Sequence, residues 1–192
     1  MEKEYKNIEV EKDSKKTREK DLEKNEPQNS KVVSNQNIEG MIYVTNKIIS
    51  NKDLLDTEIQ LIPKNIVLGI GCKKDKEFKY IKKAIDNVLS NLSLHKKSLK
   101  LIATVDIKKE EEGIKKAADY YDVPLKIIKS KDIKIIETKF KTSSFVKEKI
   151  GIGAVCEPSA YLGSNKKGRF LMRKKSFDGI TIAVWEENES EN

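Results

Sequence analysis

The 192-residue chain carries 39 Lys and Arg against 31 Asp and Glu, a formal net charge of +8, with 36% charged and 37% hydrophobic residues. That balance suits a water-soluble chain of one domain plus tails, with no core to spare. The longest apolar stretch, Ile66 to Cys72, falls far short of the ~20 residues that span a bilayer, and one histidine, His95, excludes a multi-histidine metal site.

Residues 1–37 hold nine basic and nine acidic side chains with no apolar period, and such a segment buries too little to offset its ordering entropy. A charged tail is expected there, with no secretory leader. The +8 then falls wholly on residues 38–192. Ile42-Tyr43-Val44-Thr45 is a short β-prone run, and Leu61-Ile62 leads into Pro63; residues 38–64 are expected as a linker. Ile66 to Ile70 is continuous and β-branched, which predicts a buried strand, and it runs into Gly69-Ile-Gly71-Cys72-Lys73-Lys74. Phe78, Ile81, Ile85, Val88, Leu89 and Leu92 recur at three and four, predicting a helix over 75–92. Leu99 to Ala103 is a second strand. Ile114, Ala117, Ala118 and Tyr121 predict a helix over 108–121, with Asp106 as its cap and Glu110 to Glu112 near its positive end.

Pro124 to Ile128 is a third strand. Thr142-Ser143-Ser144 is placed to cap a helix over 145–150 that Gly151 ends. Pro158 suits a first helical position, which puts Glu157 at the cap of a helix over 159–162. Arg169 to Arg173 and Ile180 to Val184 close the chain as strands, with the domain spanning 65–187 and a short tail at 188–192. Strand–helix–strand–helix–strand predicts an α/β layered domain whose sheet is at least partly parallel.

Both glycine pairs fail as nucleotide signatures. Gly69-Ile-Gly71 and Gly151-Ile-Gly153 lack the third glycine of a dinucleotide fold, and no GxxxxGK[ST] loop is present. Two readings of Gly69 and Gly71 stay open: close approach of the backbone to a ligand, or a tight strand-to-helix turn. Lys73 and Lys74 would lower the pKa of the Cys72 thiol. With no histidine partner, a small buried thiol is the expectation for Cys72 and Cys156 alike, and the two are expected reduced. His95 sits in a polar connector and is expected to be solvated.

Lysines cluster at 73, 74 and 76, at 96 and 97, at 108 and 109, at 166 and 167, and at 174 and 175. Several of these follow predicted strands, at the rim where open α/β sheets bind ligands, and would suit a polycarboxylate or phosphate. Nucleic-acid binding would want stacking aromatics beside the basic groups, and aromatics are only 6% of the chain. Among the acids, Glu157 at a helix start stands out, with Asp106 and Glu111 flanking Lys108. Each is a structural cap unless burial or a like charge makes it a base.

Five blocks then occur in a telling order. These are Leu68-Gly-Ile-Gly71-Cys-Lys73, Ala103-Thr104-Val-Asp106 through Lys108 and Glu111 to Gly113, Ser144-Phe-Val146 to Gly151, Val155-Cys-Glu157-Pro-Ser-Ala160, and Lys174 ahead of Thr181-Ile-Ala183-Val184. Together, over about residues 66–187, they resemble the C-terminal domain of CbiG, the cobalt-precorrin 5A hydrolase of cobalamin biosynthesis, and the stand-alone CobE domain. Tyr43-Val-Thr45 and the run to Pro63 are similar to the segment ahead of that domain.

The resemblance implies a three-layer α/β/α sandwich with a mixed, partly parallel sheet, and a role in corrin ring contraction, while the cysteine usage leads to a cytoplasmic protein as the expectation. The implied reaction opens the δ-lactone of cobalt-precorrin 5A and releases acetaldehyde. It implies no separate cofactor, because cobalt arrives with the tetrapyrrole substrate. The site positions carried over are Glu157 and Asp106 as catalytic residues, with Gly69, Gly71, Thr104, Lys108, Glu111, Ser144 and Lys174 holding substrate, and no metal ligands. Lysines of a +8 domain would form charge-assisted bonds to the many carboxylates of such a macrocycle. Two departures stand out. Cys156 lies where alanine is commoner, and the charged tail lies where the hydrolase carries an N-terminal domain. Two functions therefore stay in view. One is the hydrolase or its C-terminal part, completed by a separate N-terminal CbiG-like domain or other cobalamin-pathway enzymes. The other is a non-catalytic carrier of a corrinoid intermediate. Neither nucleic acid nor membrane is expected as a partner.

Overall fold

The computed structural model describes residues 31–33, 40–50, 54–142, 144, 147–148 and 151–188. They fall into two units, 1–63 and 64–192. In the first, β1 (Lys31–Val33) pairs antiparallel with β2 (Met41–Val44), and β2 pairs parallel with β3 (Glu58–Leu61). The second unit is built on a five-stranded mixed sheet. Its strands are β4 (Ile66–Cys72), β5 (Leu99–Val105), β6 (Leu125–Ile128), β7 (Gly168–Phe177) and β8 (Ile180–Glu187), in the order β6-β5-β4-β8-β7. β4, β5 and β6 run parallel, and the β7–β8 hairpin lies antiparallel beside β4. The helices are α1 (Phe78–Asn91), α2 (Glu112–Tyr120), α3 (Ser130–Ile136) and α4 (Cys156–Gly163). Among the described residues no helix is long and apolar enough to cross a membrane.

Strand alternation divides the core into two. Ile66, Leu68 and Ile70 of β4, Ile102 of β5 and Ile180, Ile182 and Val184 of β8 face α1 and α2, which answer with Ile81, Ile85, Val88, Ile114 and Ala117. Val67, Ala103, Val105, Ala183 and Trp185 face the other way, toward Ile133, Ile152, Cys156 and Ala160. The result is helix, sheet, helix: the three-layer sandwich. Burying each large aliphatic side chain of α1 contributes about 1.5–3 kcal/mol, and that apolar stripe is why the helix forms where it does.

The two faces differ in what covers the strands. Beneath α4 the sheet carries small residues. A Cβ on Gly69 would overlap the carbonyl oxygen of Cys156 and lie 2.7 Å from the amide of Ala160, and one on Gly163 would lie 2.8 Å from the Cβ of Ala103. The helix backbone therefore rests directly on the strand. Gly69 lies inside β4 and not at the tight strand-to-helix turn that one sequence reading expected, and what approaches its backbone closely is α4. Gly71 is crowded less severely, by Thr181 Oγ1 at 2.8 Å and the Val155 side chain at 3.2 Å.

Several elements depart from the sequence expectations. The segment 38–64, expected as a linker, contains β2 and β3, and β1 lies inside the expected tail. The helix predicted over 108–121 begins only at Glu112, because Asp106–Lys108 form a 3-10 turn first. The helix predicted over 159–162 begins at Cys156, so Pro158 stands in its first turn. Proline is tolerated there because first-turn amides have no partner within the helix. Helix α3, at seven residues, is too short for its isoleucines to show a helical period. The helix expected over 145–150 lies largely outside the described residues. His95 is half-buried rather than solvated, and its Nδ1 accepts from Lys97 N at 3.1 Å at the start of a 3-10 turn.

The unequal crowding at the two glycines sets a ranking. Gly69→Ala forces backbone apart and should lose about 1–3 kcal/mol or more of stability. Gly71→Ala meets only side chains that can shift and should lose distinctly less. Urea unfolding of the two variants checks this, and equal losses would refute the account of α4 packing.

Candidate functional site

Helix α4 carries Glu157 in its first turn, buried against the sheet. Across from it, β7 uses one residue more than β8 between Phe170 and Met172, and again between Met172 and Lys175. Such bulges interrupt the ladder and leave an amide without a strand partner. Glu157 is placed to meet one. Its Oε1 accepts from the Lys174 backbone N–H at 2.8 Å, and its Oε2 accepts from Arg173 Nη1 at 3.2 Å. The Arg173 side chain is 65% exposed, and its guanidinium lies over the Phe170 ring, 4.6 Å from the centroid. Thus two predicted site residues, Glu157 and Lys174, do meet, but through the lysine's backbone, with its side chain left at the surface.

Asp106 ends β5. Its Oδ1 accepts from Ile107 N at 2.8 Å and from the Ser130 hydroxyl, and its Oδ2 accepts from Ser130 N at 3.0 Å. Burial pushes this carboxyl up, but the bonds from Ser130 and Ile107 outweigh it and hold the group below its ordinary value. With both oxygens occupied, Asp106 clasps the end of β5 to the start of α3. Lys108 and Glu111 meet as well: Lys108 Nζ donates to Glu111 Oε1 at 2.9 Å, and Glu111 Oε2 accepts from Asp75 N at 2.9 Å. This pair binds the loop after β4 to the loop after β5. Thr104 is fully buried and donates to Ile70 O at 2.7 Å between the same strands. Ser144 is exposed.

Cys156 is buried as the sequence suggested, whereas Cys72 is only partly buried and the lowering expected from Lys73 and Lys74 does not occur. Burial pushes Cys72 up to about 11, with Glu111 adding to it and Lys108 and Lys76 opposing, so the neighbouring lysines do not prevail. Cys156 is likewise pushed up to about 11 by burial. Both are free. Among the described residues no group of three or more His, Cys, Asp and Glu is arranged to hold a metal ion.

Topology sorts the lysine clusters. Cys72 pairs with Ile180, and Ile180 with Phe177, so Lys73, Lys74 and Lys76, Lys108 and Lys109, and Lys174 and Lys175 share one end of the sheet. Lys96 and Lys97 precede β5, and Lys166 and Lys167 precede β7, at the opposite end. A hollow of about 470 Å³ lies along β6 and α3, lined by Lys126, Ile127, Ile135, Leu162 and Lys166 among others, apart from the glycines. Sequence reading missed Arg173, Ser130 and Glu137. Glu137 is buried with its Oε1 accepting from Gly153 N, ahead of α4. Nothing in the lysine-rich run from Lys131 to Lys141 sets it apart.

Two predictions follow from this bonding. For Asp106, the native carboxyl lies below its ordinary value of 3.8, so its contribution to stability is full above that value and is lost as pH falls through the native one. Asp106→Asn should be less stable at pH 7 and show a shallower loss below about pH 4; parallel pH curves from acid denaturation would speak against the clasp. At the other carboxylate, Glu157→Ala should lose about 1–3 kcal/mol by leaving the part-buried Lys174 amide without its acceptor. Arg173→Ala, at an exposed cation, should change stability by less than about 1 kcal/mol. Chemical denaturation separates the two, and the reverse ranking would place the latch on the arginine.

The family described as Cobalamin synthesis G C-terminus matches residues 66–185, which takes in all of the five-stranded sheet but the last two residues of β8. The cobalt-precorrin-5A hydrolase of Salmonella typhimurium is 32% identical over 125 residues, covering 65% of this chain and 35% of that protein. The crystal structure of CobE, a protein from the cobalamin (vitamin B12) biosynthetic pathway, shares the fold with a TM-score of 0.59 at 21% identity, covering 65% of this chain and 92% of that one. A putative cobalamin biosynthesis protein G homolog from Sulfolobus solfataricus aligns with a TM-score of 0.53 at 25% identity, over 77% of this chain and 44% of that one. The chain spans between 35% and 45% of the length of the curated relatives it matches.

Proposed function

The chain belongs to the Cobalamin synthesis G C-terminus family, and from that premise we propose that it acts in cobalamin biosynthesis as the C-terminal part of a cobalt-precorrin-5A hydrolase. The substrate is a cobalt-precorrin tetrapyrrole, with cobalt carried in by the substrate and no further cofactor. One observation carries the reading: the family match runs over the sheet whose one end gathers Glu157, Asp106 and three of the five lysine clusters.

The chemistry asked of that end is modest. Water adds to the lactone carbonyl and the ring ester C–O bond breaks; the freed hydroxyl then gives up its proton as the arm's C–C bond to the macrocycle breaks, so the arm leaves as acetaldehyde and the macrocycle carbon, which keeps the electron pair, takes a proton. Of the two carboxylates, Glu157 is the one placed to orient water. Its Oε2 holds only the longer bond to exposed Arg173, which a water can replace, whereas both Asp106 oxygens are occupied. Lys108 is held by Glu111, so its ammonium is fixed at the rim instead of reaching outward. The Lys174 ammonium is at the surface and suits a substrate carboxylate.

A carrier of a corrinoid intermediate is the second reading. Its support is the coverage of CobE, which shows that a domain of this extent stands by itself. Acetaldehyde release separates the two when the full chain is given cobalt-precorrin 5A, with and without the part of the Salmonella typhimurium hydrolase that it does not match. Turnover supports the hydrolase, and tetrapyrrole binding without turnover supports the carrier. Within the hydrolase reading, Glu157→Gln should lower turnover by about 10²–10⁴-fold with binding retained, and Lys174→Ala should weaken binding most at low salt. A fully active Glu157→Gln would remove Glu157 from the chemistry.

A further inference from the structure

Arg173 has a fixed seat and a loose grip. Its guanidinium carries several N–H donors in a planar fork, and among the described residues that fork bonds Glu157 alone, from Nη1 to Oε2 at 3.2 Å. The bond is longer than the roughly 2.7–2.9 Å usual for a charge-assisted pair, and it is single where a carboxylate could take two. The seat is the Phe170 ring, 4.6 Å from the guanidinium. That ring is itself held edge-on against Trp185 at 4.8 Å and Phe140 at 6.2 Å. A cation over an aromatic face keeps its attraction whichever way the fork points, so the guanidinium can turn without leaving the ring. Glu157 does not need the arginine to stay in place, because the Lys174 amide holds its Oε1 at 2.8 Å.

The rest of the fork is open to solvent, on a side chain whose partner is buried. A planar fork matches a carboxylate better than an ammonium does, and the tetrapyrrole of the hydrolase reading ends its side arms in carboxylates. We propose that Arg173 recognises a substrate carboxylate and turns from Glu157 Oε2 to do so, which opens that oxygen to water only once the macrocycle is bound. This role deepens the hydrolase reading and rests on it for its ligand. It makes substrate binding compete with the Arg173–Glu157 pair. A ligand that needs a minor arrangement binds with its affinity reduced by the fraction of that arrangement, so loosening the pair should tighten binding.

The probe is uroporphyrin, a metal-free tetrapyrrole whose side arms all end in carboxylates, titrated by equilibrium dialysis against the full 192-residue chain at one fixed salt concentration. Arg173→Ala should weaken binding at least about tenfold, the size of one lost charge-assisted contact. Arg173→Lys keeps the charge without the fork and should stay at least about threefold weaker than the parent. Lys167→Ala, at the opposite end of the sheet, should change binding less than about twofold. Glu157→Gln retains an acceptor for the Lys174 amide but loosens the arginine. It should tighten binding at least about threefold, and the gain should vanish when Arg173→Ala is added. Full affinity in either Arg173 variant, an equal loss in Lys167→Ala, or no gain from Glu157→Gln would overturn the proposal. So would a gain that survives without Arg173, or the absence of saturable binding to the parent chain. Acetaldehyde release is measured separately: binding through Arg173 without turnover keeps this role and removes only the hydrolase reading.

Discussion

The contact of α4 with Gly69 sets where the functional residues stand. A helix normally stands off a sheet by the length of two layers of side chains. Here Gly69, Ala103 and Gly163 remove that layer, and the carbonyl of Cys156 comes down onto β4 itself. Because α4 is seated so low, its first turn reaches the plane of the sheet edge, and Glu157 can bond an amide in the backbone of β7. The small-residue floor and the bulge in β7 are in this sense one feature, since each makes sense only with the other in place.

The loops at the same end of the sheet are tied by a different device. Three carboxylates hold them to one another: Asp106 joins the β5 end to α3, Glu111 joins the β4 loop to the β5 loop, and exposed Asp178 in the β7–β8 turn pairs with Lys76 at 3.0 Å. The strand ends that would face a ligand are thereby fixed to one another before any ligand arrives. Preorganisation of that kind lowers the ordering cost of binding, and two of the residues that provide it, Asp106 and Glu111, are ones the sequence reading assigned to catalysis and to substrate.

Much of the layer architecture was legible because its signals are periodic. The β-branched run at Ile66 to Ile70 and the three-and-four spacing from Phe78 to Leu92 report which sides are buried, and the structure keeps both. Elements fixed by long-range contacts were not legible. Asp106 looked like the cap of the helix after it, yet its partner is Ser130, 24 positions on. The helix at Cys156 starts before Pro158 because the glycine floor accepts its backbone, and no local propensity encodes that floor. In the candidate site, the residue types were found but their roles were not. Lys108 and Glu111 were both named, and their i,i+3 spacing permits the pair they form, yet each was assigned to substrate. Arg173 reads as one more surface cation until β7 is seen to bulge beside a buried acid.

The bulged strand has a consequence for how this molecule can assemble. β7 is the outermost strand on its side of the sheet, and Arg169, Arg173, Lys174 and Lys175 lie along it. An outermost strand is an open template for another chain's backbone, and interrupted pairing together with like charges discourages that union. Two copies brought rim to rim along β7 would set cation against cation over an uneven ladder. Union through β7 is thus discouraged, and the sheet is kept from lengthening on that side.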